Sequence, residues 1–102
     1  MRGGIKVYGE FHTIIDLKQF ARDLAEELDS HGVKELADEV RVFQTNYFSS
    51  SSEYMGEFRI VLNLVSGTMA GKLPKKTIEM IQNSIEFISH EFQQRVGALK
   101  SE

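Results

Sequence analysis

The sequence predicts an all-α fold, a four-helix bundle, and three observations lead to it. Apolar side chains recur at three- and four-residue spacing in four successive segments. Glycine, serine or proline punctuates the junctions between them. At 102 residues there is enough chain for one hydrophobic core and too little for two. An apolar share of 41% and a charged share of 26% belong to an ordinary globular chain. Residues 1–102 therefore read as a single helical domain, with 1–15 as an N-terminal arm.

In the arm, Ile5, Val7 and Phe11 alternate with Lys6, Tyr8, Glu10 and His12, a strand-like pattern that Gly9 interrupts. A lone strand needs a partner, so three readings stay open: an extended arm, a strand paired across a dimer, or a disordered terminus.

The first helix is expected over 16–31. Leu17, Phe20, Ala21, Leu24 and Leu28 form one stripe, with Lys18, Arg22, Asp23, Glu26 and Glu27 turned away. Asp16 is placed to cap it, with Gln19 three residues on and Ile15 set to touch Phe20 as a staple. Gly32 is expected to take a positive φ and close the helix in a Schellman motif, which would bring Val33 opposite Leu28. His31 then lies beside the negative end of the helix dipole.

Leu36, Val40, Phe43 and Tyr47 continue the spacing and predict a second helix over 34–48. Val40 to Phe48 is also rich in β-branched and aromatic residues, so a strand is the alternative there. Four serines, Ser49 to Ser52, break the pattern. Ser50 and Glu53 have capping-box spacing and open a third helix over 52–66.

That third helix carries its stripe on Met55, Phe58, Leu62, Val65 and Met69, yet Ile60 and Leu64 fall on the opposite side. It is apolar nearly all round, as expected where a second face meets a neighbour or another chain. Gly67 and Gly71 mark a loop, and Pro74 suits the first turn of a fourth helix over 75–96. Ile78, Ile81, Ile85, Ile88, Phe92 and Val96 form its stripe, and Gly97 is expected to stop it. Met80 and Phe87 make a second apolar line.

Composition narrows the chemistry. There is no cysteine, which excludes disulfides, iron–sulfur clusters, thiolate zinc sites and a cysteine nucleophile. The N-terminal residues build no continuous apolar stretch like that of a signal peptide. The densest apolar run, Phe58 to Val65, is interrupted by Arg59 and Asn63 and falls far short of the roughly 20 residues of a membrane span. A cytoplasmic protein that meets no membrane is expected. Net charge is −3, and residues 16–41 hold eight acidic against four basic residues. No concentrated basic face offers itself to nucleic acid, whereas an acidic face suits a basic protein partner.

Motifs for catalysis are not found. Gly67-Thr-Met-Ala-Gly71-Lys72 has three residues between its glycines where a phosphate-binding loop has four, and Leu73 stands where a serine or threonine is required. Lys72, Lys75 and Lys76 make a small basic spot there. No Gly-x-Ser-x-Gly, His-Glu-x-x-His or Gly-x-Gly-x-x-Gly motif occurs, so no cofactor is expected and a non-enzymatic role is favoured. His90 and Glu86, one turn apart, fall on the solvent side of the fourth helix. The alternative is a metal-binding or accessory enzyme using His12, His31 and His90.

The stretch Glu35-Leu-Ala-Asp-Glu-Val40, followed by Ser50-Ser-Ser-Glu-Tyr-Met-Gly-Glu-Phe-Arg-Ile-Val-Leu62, resembles small bacterial helical proteins of unassigned function. These carry a Ser/Thr-x-Glu, two apolar residues, then Gly-Glu-apolar-Arg. The resemblance implies the helix–loop–helix layout already read and no catalytic role. Physically, Glu53 and Glu57 favour the positive start of the third helix, and Gly56 allows another helix to approach.

The expected function is therefore protein–protein interaction by a small acidic helical protein of regulatory type. Immunity and antitoxin-like proteins are an analogy of size and charge only. Ile60, Leu64, Met80 and Phe87 are the expected interaction residues, and a homodimer burying them is the expected assembly. The rival is that the first two helices or the N-terminal arm cover them within one chain.

Overall fold

The computed structural model describes residues 11–100, with side chains described as far as Gln93. It is an all-α four-helix bundle: α1 (Ile14–Ser30), α2 (Lys34–Thr45), α3 (Ser51–Thr68) and α4 (Lys75–Lys100). No strand occurs among the described residues. The strand-like reading of Ile5 and Val7 lies outside them. Phe11 lies within them and is buried, its ring edge-on to Phe20 at 5.5 Å and 6.5 Å from Phe87.

Helix α1 starts two residues before the expected position because Thr13, not Asp16, is its N-cap. Thr13 Oγ1 accepts from the Ile15 amide at 3.2 Å. Asp16 is the third helical residue, and its Oδ2 accepts from the amides of Thr13 at 3.1 Å and His12 at 2.8 Å. This completes a capping box that satisfies donors the first turn would otherwise leave free. Ile15 does not staple onto Phe20; it is exposed, and Phe11 takes that contact.

The other end of α1 is a Schellman motif. Gly32 has φ +75°, its amide donates to the Asp29 carbonyl at 2.9 Å, and the Val33 amide donates to the Leu28 carbonyl at 3.0 Å. The chain reverses there and α2 packs back along α1.

Helix α2 ends at Thr45, three residues short of expectation, and is no strand. Thr45 Oγ1 donates to the Val42 carbonyl at 2.8 Å, and Asn46 is extended. The extended residues swing the Phe48 ring back onto Phe43 (5.4 Å) and Tyr54 (5.5 Å) and leave Tyr47, expected in the stripe, 90% exposed. Ser50 then caps α3, its Oγ accepting from the Glu53 amide at 3.1 Å. The Glu53 carboxylate turns to Ser49, accepting from its amide and hydroxyl, instead of closing a reciprocal box on Ser50.

Helix α3 runs through Gly67 to Thr68, beyond the expected end at 66. Met69 is buried and its amide donates to the Val65 carbonyl at 2.8 Å, so burial of the last stripe residue holds the final turn. Of the two glycines expected to mark the α3–α4 loop, only Gly71, with φ +75°, acts as a turn glycine. Pro74 precedes α4, and its carbonyl accepts the first helical hydrogen bond, from Ile78. Helix α4 continues past Gly97 to Lys100, so that glycine does not stop it.

The core follows the stripes. Leu17, Leu24 and Leu28 of α1, Val40 and Phe43 of α2, Phe58, Leu62 and Val65 of α3, and Ile81 and Ile88 of α4 are buried, each large side chain contributing about 1.5–3 kcal/mol by leaving water. Phe43, Tyr54 and Phe58 form its aromatic centre, and Phe20 joins it from α1. Ser84 is the one buried polar residue among those described, and its hydroxyl donates to the Ile81 carbonyl at 2.9 Å. Helices α3 and α4 are latched by Arg59, which donates to Ser89 Oγ at 3.3 Å and lies 4.9 Å over the Phe92 ring.

Candidate functional site

The four expected interaction residues part company. Ile60 and Leu64, one turn apart on α3, are 62% and 46% exposed. Phe87 is buried, and its ring lies beside Phe11, so the last residues of the arm give it a place inside the chain. Phe87 is thus corrected from a surface residue to a core residue. Met80 is half-buried against the core and lines a shallow cleft with Phe20 and Leu24 of α1.

Leu64 and Thr68 form the α3 wall of a groove of about 490 Å³, and the α2 wall is Val33, Glu35, Leu36, Asp38 and Glu39. Helices α2 and α3 run antiparallel here, since the start of α2 faces the end of α3. Leu36, Val40 and Phe43 turn α2 toward the core, which leaves Glu35, Asp38, Glu39 and Val42 on its outer side at three- and four-residue spacing. Val42 is 59% exposed. Helical phase could have flagged it, since it sits off the Leu36–Val40–Phe43 stripe. The result is an exposed Leu64, with Ile60 one turn before it, beside a row of carboxylates on α2.

The ion pairs of α2 leave that row electrostatically open. Arg41, the only cation on α2 besides Lys34, reaches away to Asp29 of α1 at 2.6 Å and touches Asp38 only at 3.8 Å. The Arg41 hydrogen bond, with its charge, holds the Asp29 carboxyl below the usual carboxylate range against a smaller opposing cost of burial. The same bond raises the Arg41 guanidinium. Glu35 and Glu39 have no ion-pair partner among the described residues.

The histidines do not converge. His31 Nε2 lies 3.0 Å from Glu27 Oε2 on the surface of α1, His12 is exposed beside the first cap, and His90 is half-buried on α4. Among the described residues no three His, Asp or Glu side chains are grouped to hold a metal ion. No described helix is long and apolar enough to cross a membrane.

The sequence does not foretell a second concavity: Lys18 and Arg22 of α1, Tyr47 of the α2–α3 connection and Tyr54 of α3 share a groove. One-turn spacing puts both cations on one face, but nothing in the sequence brings the connection across to them. Set against protein-family models, curated proteins and solved structures, the chain matches none of them.

Proposed function

We propose that the protein is a non-enzymatic cytoplasmic interaction module whose α2–α3 face docks a basic amphipathic helix of another protein. The observation that carries this reading is Leu64, exposed on α3 one turn from the exposed Ile60, sharing a groove with the carboxylates of Glu35, Asp38 and Glu39 on α2. An apolar line supplies affinity through burial, as in other helix-in-groove complexes. The carboxylate row supplies orientation and a faster encounter with a cationic partner. The surplus of acidic residues over 16–41 points the same way.

The test is amide NMR with a synthetic helical peptide bearing leucines on one face and lysines on the other. Shifts confined to residues around Glu35–Val42 and Ile60–Thr68, lost in Leu64→Glu and weakened by salt, are expected. Shifts scattered over the surface, or unchanged by Leu64→Glu, would refute the reading.

A homodimer is the second reading, favoured by Ile60, which points directly away from Phe58 and Leu62 and makes with Leu64 a seam suited to two-fold pairing. Such pairing sets Glu57 and its copy near the same seam, a cost the basic partner does not meet. Light scattering at micromolar protein decides. A mass of two chains that an Ile60→Glu, Leu64→Glu variant converts to a folded monomer establishes the dimer, and a mass of one chain across the range removes it.

A further inference from the structure

The groove between α1, the α2–α3 connection and the first turn of α3 is basic, unlike the acidic α2 surface. In a chain of net charge −3, its lining includes Lys18 and Arg22 and no acidic residue. Neither cation has a carboxylate partner among the described residues. Lys18 Nζ lies 5.5 Å over the Tyr54 ring, and Arg22 uses one N–H on Gln19 Oε1 at 3.2 Å. The remaining donors of both are available to a ligand. The nearby Glu53 carboxylate is turned aside to Ser49 and is not part of the lining.

Tyr54 adds a third polar group to the lining. The residue is only 7% exposed, yet its hydroxyl has no hydrogen-bond partner in the described chain and is not sealed off from solvent. That hydroxyl, on a side chain that lines the groove and is otherwise committed to the core, is a positioned donor that a ligand would take over from water. Burial pushes its phenol up to about 12, with Arg22 pulling weakly the other way, so the group keeps its proton at neutral pH. Ser50 and Ser51 add hydroxyls at the opening of α3. Opposite them Tyr47, 90% exposed on the rim, presents an uncovered ring face. A large aromatic held out in water beside two cations is suited to stacking on a flat ligand.

The groove is open to solvent along one side and has a volume of about 520 Å³, enough room for a small molecule. We propose that it binds a phosphate monoester joined through a sugar to a planar ring, a ligand of mononucleotide size, with Lys18, Arg22 and the Tyr54 hydroxyl on the phosphate and Tyr47 against the ring. This goes beyond the docking role of the α2–α3 face and does not depend on it.

Titration calorimetry of the full chain with the monophosphates of adenosine, guanosine, cytidine and uridine tests it, with adenosine and inorganic phosphate as controls. One-to-one binding of at least one monophosphate is expected, with both controls weaker by about tenfold or more, the loss of one charge-assisted contact or one stacked ring. Lys18→Gln and Arg22→Gln should each weaken binding about tenfold, and Tyr47→Ala severalfold, without lowering the melting temperature. Tyr54→Phe keeps the core ring and should weaken binding by removing only the hydroxyl. Failure of all four monophosphates to bind overturns the proposal, as does binding no tighter than that of phosphate or adenosine, or binding indifferent to these variants. Tighter binding of a phosphotyrosine peptide than of any nucleotide overturns it in favour of a protein ligand.

Discussion

The rings of Phe43 and Phe58 stack nearly parallel, 10° apart in plane with centroids 5.0 Å from each other, and this contact joins α2 to α3 at the middle of the core. Phe58 also meets Phe20 of α1 and Tyr54 of its own helix. Phe58→Ala should therefore cost about 3–5 kcal/mol and Leu62→Ala about 2–5 kcal/mol, the range for emptying a packed interior position. Denaturant titration reads both. A loss under about 0.5 kcal/mol, typical of surface changes, would contradict their complete burial.

The glycines should respond with opposite signs. Gly32 holds φ +75°, which costs an L-residue about 1–2 kcal/mol, so Gly32→Ala should destabilise by that order. Gly67 lies inside α3 with open space where a methyl group would project, and a Cβ at Gly56 would meet only Phe92 Cζ at 3.7 Å, an ordinary contact. Gly67→Ala and Gly56→Ala should each raise stability, by up to about 1 kcal/mol, through helix propensity. Melting curves of the three variants check the signs.

Acid should release the Asp29–Arg41 link between α1 and α2. Because the Asp29 carboxyl is lowered in the folded chain from its ordinary 3.8, its contribution is present above that value and is lost as pH falls through the lowered one. The pair is surface-exposed, so its effect is small and screened by salt. Urea midpoints of wild type and Asp29→Asn should differ at neutral pH and converge as the pH falls well below the ordinary 3.8. A constant difference across that range would contradict the assignment.

Tyr54 should titrate late. Its phenol is pushed to about 12 by burial, so in a spectrophotometric titration of the folded protein one tyrosine should ionise well after the ordinary 10.0. Tyr54→Phe should remove that phase. The neutral phenol is the form the fold favours, so its contribution to stability is present below pH 10 and is lost as pH rises toward 12.

How much of this is legible in the sequence depends on the range of the interaction. The stripes of Leu17–Leu28, Met55–Met69 and Ile78–Phe92 are local and periodic, and each places its helix. Gly32 with Leu28 and Val33 is equally local, and its turn can be read residue by residue. The errors lie where two local signals compete. Asp16 is a good N-cap, but Thr13 with Asp16 makes a complete box, and the chain takes the arrangement that satisfies more amides. Tyr47 fits a helical stripe, yet burying Phe48 against Phe43 requires α2 to end before it. Phe87 looks surplus because its cover, Phe11, lies 76 residues away in the chain. The Lys18–Tyr54 groove is invisible for the same reason, being assembled from three separate segments.

The order in which the helices pack bears on how quickly the chain finds its fold. The main pairings, α1 with α2, α2 with α3 and α3 with α4, are all between neighbours in sequence, and the tight reversals at Gly32 and Gly71 serve the first and last. Closing such short connections forfeits little chain entropy before packing repays it. Refolding should accordingly belong to the microsecond-to-millisecond regime of locally connected helical proteins, with α1 and α2 able to pair before the rest of the chain has joined them.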